Sequence, residues 1–111
     1  MEKQYIYIAI SLLEPSVCKI GMTYNLDRQP ITFSSNTDKS KEISYQYVFV
    51  CDVVDMIEML NDIKENFFIY KLGNREELYF YNEELFEMYI EFIKSHPLFE
   101  EVIFIKKIKS K

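Results

Sequence analysis

The sequence predicts a small α+β domain: an antiparallel β-sheet flanked by helices, with an additional C-terminal strand. Three observations carry the prediction. Residues 5–11, 17–23 and 42–51 alternate with the two-residue period of strands. Apolar residues between 53 and 67, and again between 85 and 93, recur at helical spacing. No repeat or linker divides the 111 residues, which suffice for one core and not two, so residues 1–111 read as a single domain.

The first two runs form a hairpin. Ile6, Ile8 and Ile10 point to one face, while Tyr5, Tyr7 and Ala9 point to the other. Cys18, Ile20 and Met22 answer the isoleucines, leaving Val17, Lys19 and Gly21 opposite, around a turn placed at Glu14, Pro15 and Ser16. Paired in register, the strands would set Tyr7 and Lys19 on one face, a phenol and an ammonium beside a glycine. Asn25 is suited to cap a short helix with Asp27 in its first turn, stopped early by Pro30.

Residues 34–41 read as an exposed polar loop, followed by a third strand with Ile43, Tyr45, Tyr47, Phe49 and Cys51 on one face. Asp52 is expected to open a long helix with Val53, Met56, Ile57, Leu60, Ile63 and Phe67 inward and Asp55, Glu58, Asp62 and Glu65 outward, ending before Gly73-Asn74. Residues 75–81 form a short strand. Asn82 then caps a helix whose first turn carries Glu83 and Glu84, and whose inner face is Leu85, Phe86, Tyr89, Ile90 and Ile93, with Phe92 at its edge. His96-Pro97 stops it, His96 being a helix-end residue. The last strand runs from Val102 to Ile108 and leads into a lysine-rich tail, so that 102–111 is strand plus tail.

Composition narrows the setting. Nearly half the residues are hydrophobic, with 9 Tyr and 9 Phe, which argues for a packed core. There is no membrane-length apolar run and no leader pattern at the N-terminus, so the expected location is the cytoplasm, or the nucleus of a host cell. Cys18 and Cys51 lie in apolar strands and read as buried thiols, and a single His leaves no zinc pattern. Net charge is −5, from 13 basic and 18 acidic residues. Four of those lysines lie beyond residue 101, so residues 1–101 hold nine basic against 18 acidic groups, a balance of −9. A body so acidic is unlike a non-specific nucleic-acid binder, and any nucleic acid must meet a local patch or the tail.

These motifs resemble the GIY-YIG nuclease superfamily, in the branch common in phages and large DNA viruses whose second motif reads Lys-Ile-Gly. Tyr5-Ile6-Tyr7 stands where Gly-Ile-Tyr stands, with Tyr5 replacing the glycine. Lys19-Ile20-Gly21-Met22-Thr23 matches the branch's pentapeptide, and Asn25-Leu26-Asp27-Arg28 matches the segment after it. Ile63-Lys64-Glu65-Asn66-Phe67 falls where Leu-His-x-x-Phe is usual, and Glu77-Leu78-Tyr79 where a glutamate precedes two aromatic or apolar residues. The likeness covers about residues 4–95. It implies a GIY-YIG-like fold and hydrolysis of DNA phosphodiester bonds by an endonuclease or nickase. By resemblance, Tyr7 would position or deprotonate water, Lys19 would stand near the scissile phosphate, and Arg28 would offset its charge. Glu77 would hold Mg²⁺ or Mn²⁺, with Glu76 a rival one register away and Tyr5, Gly21 and Lys64 as accessory residues.

Lys64 in place of the usual histidine, Pro30 after Arg28, and the acidic body point to a second function class. This is an inactive GIY-YIG-like module that binds a protein partner, its acidic face mimicking nucleic acid or docking on a basic surface. The aromatic tally of Tyr45, Tyr47, Phe49, Phe67, Phe68, Tyr79 and Tyr81 further predicts a homodimer that covers part of it.

Overall fold

The computed structural model describes residues 2–33, 42–73 and 77–106. They form an α+β fold, a five-stranded antiparallel sheet carrying two helices. The strands of the sheet are β1 (Tyr5–Ser11), β2 (Glu14–Thr23), β5 (Gln46–Val53), β6 (Leu78–Phe80) and β7 (Phe99–Ile105), in the order β6-β2-β1-β5-β7. A separate two-stranded ribbon pairs β3 (Ile31–Phe33) with β4 (Glu42–Ser44). The helices are α1 (Met56–Asn66) and α2 (Glu83–Ser95).

The hairpin is as the alternation requires. Tyr7 pairs with Gly21 and Ala9 with Lys19. Ile6, Ile8, Cys18 and Ile20 turn to one face, where Met56, Met59, Leu60 and Ile63 of α1 and Leu85, Phe86, Tyr89, Ile90 and Ile93 of α2 complete the larger core. Tyr7 and Ala9 turn to the other face and join Ile43, Tyr45, Val50 and Leu78 in a smaller one. The connection is tighter than expected: Leu12 and Leu13 make the turn, fully in water, while Glu14, Pro15 and Ser16 already belong to β2.

Several local expectations are corrected. Asn25–Arg28 is a turn and not a helix. The Asn25 side chain accepts from the Asp27 amide at 2.9 Å, an Asx turn that competes with helix nucleation, and Pro30 follows too closely for a second helical turn. The long helix starts three residues late, because Asp52 pairs with Tyr5 and Glu101 inside β5. Asp55 is the cap instead, accepting from the Glu58 amide at 3.1 Å, while Gln4 Oε1 accepts from the Met56 amide at 2.8 Å. Past Asn66 the helix tightens into a 3-10 turn over Phe68–Tyr70.

The single-face reading of the third strand also fails. Ile8 faces Phe49, but Ala9 faces Tyr47, so Val48 is an extra residue in a β-bulge. The bulge leaves Phe49 and Cys51 toward the helices and turns Tyr47 to the opposite face. Finally, β6 is shorter than the predicted 75–81, and β7 begins at Phe99 and not Val102. Residues 34–41, Glu76 and the tail lysines Lys107, Lys109 and Lys111 lie outside the described residues.

Asn82 caps α2 by accepting from the Leu85 amide at 2.7 Å, and His96 closes it. The Leu98 amide donates to His96 Nδ1, so the proton sits on Nε2 and is donated to Asp62 Oδ2 at 2.7 Å. Cys18 and Cys51 are free and buried. The aromatic surplus is mostly absorbed: Tyr45, Phe49, Phe67 and Tyr79 are buried within this chain, and Phe68 stands out in water. Tyr47 and Tyr81 are half-buried.

Candidate active site

On the sheet face away from the helices, β1, β2 and the entry to β6 converge on Gly21. Gly21 lies directly across from Tyr7, whose ring leans over the gap left by the missing side chain. A β-carbon on Gly21 would stand 2.6 Å from Tyr7 Oη, 2.8 Å from its Cζ and 2.7 Å from Glu77 Oε2. A phenol and a carboxylate therefore both reach one point that only glycine leaves open.

Glu77 is put there by its backbone. The Ile20 amide donates to the Glu77 carbonyl at 2.8 Å, extending the β2–β6 ladder one residue before Leu78. Its φ is 64°, the one left-handed non-glycine conformation among the described residues. That conformation costs about 1 kcal/mol or more for an L-residue. It folds the side chain back over β2, toward Gly21.

Tyr7 is buried, 5% exposed. Burial first, then the negative Glu77 beside it, and then Tyr47 push its phenol well above the ordinary tyrosine range. A phenol so placed keeps its proton at neutral pH and can donate a hydrogen bond.

Tyr47 is the residue the sequence reading missed. Its ring meets that of Tyr7 edge-on, with centroids 5.2 Å apart. Its hydroxyl donates to the Arg28 carbonyl, so the turn carrying Arg28 is tied to the wall of the site. The Tyr45 amide donates to the Pro30 carbonyl at 2.8 Å, and Lys19 Nζ donates to the Ile31 carbonyl at 2.9 Å. Three successive ties thus run from the sheet to the 28–31 segment. Only the bulge at Val48 brings Tyr47 to this face, and no feature of the alternating sequence announces a bulge.

The expected residues are placed as follows. Tyr7, Gly21 and Glu77 are brought together. Arg28 is anchored to Tyr47 through its carbonyl, with its side chain at the surface. Lys19 shares the face, but its ammonium is engaged by Ile31, which makes it a tether for the loop. Tyr5 lies on the same face, packed against the smaller core. Lys64 is separated from the rest, in the last turn of α1, which packs on the opposite face of the sheet. Glu76 is outside the described residues, and Glu77 is the carboxylate found at the site.

Glu77 offers a carboxylate, a hard oxygen donor of the type magnesium and manganese take. Among the described residues no group of three or more His, Cys, Asp or Glu is arranged to hold a metal ion. A single carboxylate still fits magnesium, which is commonly held by one or two carboxylates with substrate phosphate and water completing the shell. No helix among the described residues is long and apolar enough to cross a membrane. No family model, curated protein or solved structure matches the chain.

Proposed function

We propose that this chain is a divalent-metal-dependent DNA endonuclease or nickase of the GIY-YIG kind, hydrolysing phosphodiester bonds at Tyr7, Gly21 and Glu77. The observation that carries the reading is the convergence of Tyr7 Oη and Glu77 Oε2 on the gap at Gly21. Phosphodiester hydrolysis builds negative charge on the phosphate oxygens and the leaving group, and fixed positive charge is the usual remedy. A Mg²⁺ or Mn²⁺ ion held by Glu77 would supply that charge. Tyr7, protonated and fixed by Tyr47, donates a hydrogen bond that orients water or a phosphate oxygen. Arg28, on a turn tied down by Tyr47 and Lys19, offers a guanidinium to the same phosphate.

The test is nicking of supercoiled plasmid with Mg²⁺ or Mn²⁺, comparing wild type with Glu77→Gln and Arg28→Ala. Wild type alone should nick, EDTA should abolish it, and each substitution should lower the rate by about 100-fold or more, the usual effect of removing a group that stabilises transition-state charge. Equal cutting by all three proteins, or none by wild type, would reject the reading.

One observation favours the second reading, a protein-binding module. A cleft of about 690 Å³ beside the start of β1 is lined by Glu2, Asp52, Glu100 and Glu101 against a single Lys3. Asp52 is buried there, with Lys3 Nζ 3.6 Å from Oδ2. A basic partner segment suits that sign of charge. A wild-type protein without nicking activity that is retained on a basic peptide, and released by Glu100→Lys with Glu101→Lys, would support it.

A further inference from the structure

A second concavity shares a wall with the candidate active site. It has a volume of about 330 Å³ and lies on the same face of the sheet, between the Arg28 turn and the edge strand β7. Leu26, Val50, Tyr47 and Phe104 give it apolar and aromatic walls, and Gln29 and Gln46 are its polar side chains. No charged residue lines it. Phe104 is left 43% exposed at its rim, although it is a large apolar side chain.

We propose that this groove holds one unstacked nucleobase of the strand whose phosphate lies at Tyr7 and Glu77, an inference that rests on the nuclease reading. The chemistry of the lining selects this occupant. Each glutamine offers a carbonyl acceptor and an amide donor, the pairing vocabulary of a base edge. Tyr47 and Phe104 offer rings for a base to lie against, the sequence-tolerant way proteins hold single strands. The volume is at the small end for ligand sites, which suits one base and not a stack of them.

Continuity with the candidate site supports the same occupant. Tyr47 touches Tyr7 on one side and lines the groove on the other. Gln29 follows Arg28 in the same tethered turn. A strand whose phosphate met Arg28 and Glu77 would therefore have the neighbouring base beside Gln29 and Tyr47. The charge balance gives such a pocket a purpose. With −9 over residues 1–101, phosphate attraction contributes little affinity, and contacts to an uncharged base do not depend on it.

The test is a titration of the full chain, in EDTA so that nothing is cut, against a short single-stranded oligonucleotide carrying 2-aminopurine. The same strand with an abasic position in its place is the comparison. The base-bearing strand should bind about 10-fold tighter, with its fluorescence changed on binding, and Gln46→Ala and Phe104→Ala should each remove that preference. Both side chains are exposed enough for the fold to survive their truncation. Equal binding of the two strands, no binding of either, or a preference that survives both substitutions overturns the proposal. Plasmid nicking separates this from the parent reading. Nicking without base preference sinks the groove alone, while base preference without nicking sinks the nuclease and keeps the groove.

Discussion

Adding one methyl group at Gly21 tests the core of the site. In Gly21→Ala the new carbon arrives 2.6 Å from Tyr7 Oη and 2.7 Å from Glu77 Oε2, where ordinary contacts begin at 3.4 Å. The ring and the carboxylate must each retreat by roughly 0.7 Å, by the van der Waals spacing of packed atoms. The Tyr7 ring has little room to do so, being buried and backed by Tyr47. Overpacking of this kind costs about 1–3 kcal/mol. Gly21 does not have a positive φ, so alanine recovers about 0.5–1 kcal/mol of backbone entropy. The net loss should be about 1–2 kcal/mol, read as a shift of the urea midpoint with an unchanged slope. Nicking should fall further, by about 100-fold, because displacing reacting groups by under an ångström has that effect. In the Tyr7→Phe background the closest atom is gone but Cζ remains at 2.8 Å, so the stability cost of the methyl should shrink without vanishing. Wild-type stability and nicking in Gly21→Ala would refute the close approach and the site built on it.

Two further outcomes follow from the surroundings of the site. Lys19→Met removes the donor to the Ile31 carbonyl; thermal unfolding should show a loss of about 0.5–1.5 kcal/mol, and nicking should fall while Lys19→Arg retains part of it. A stable but inactive Lys19→Met, not rescued by arginine, would return Lys19 to a direct role at the phosphate. Stability should also decline above about pH 8.5, where unfolded thiols begin to ionise. Burial pushes Cys18 above the ordinary range and Cys51 up to about 12, so the folded chain keeps protons that the unfolded chain releases. Each thiol then lowers stability by up to ~1.4 kcal/mol per pH unit until its folded value is reached. Above about pH 10 buried Tyr7 and Tyr89, raised mainly by burial, act in the same direction. Urea midpoints from neutral to alkaline pH check this, and Cys18→Ala should remove one thiol's share of the slope.

What could be seen in the sequence was whatever depends on local periodicity. The two faces of the β1–β2 hairpin, the Asn82 cap and the inner face of α2 all follow from spacing alone, and all are found. The juxtaposition of Tyr7 and Gly21 follows from them, since pairing the isoleucine faces fixes the register. What could not be seen depends on partners distant in sequence. Asp52 and Asp55 both precede helical spacing, and only pairing with Tyr5 and Glu101 keeps the first in a strand. The bulge at Val48 exists only in the pairing of β5 with β1, so in the sequence the row Tyr45, Tyr47, Phe49 reads as unbroken. The placement of Glu77 rests on a left-handed backbone that a glutamate rarely takes, and nothing in Arg75-Glu76-Glu77 marks it.

That left-handed glutamate sets two kinds of selection against each other. Glycine at position 77 would adopt the same backbone at no steric cost and keep the carbonyl that receives the Ile20 amide. The backbone at position 77 therefore favours glycine, and the nicking activity proposed above would give the side chain a reason to stay acidic. A single codon would record which pressure the chain had been under.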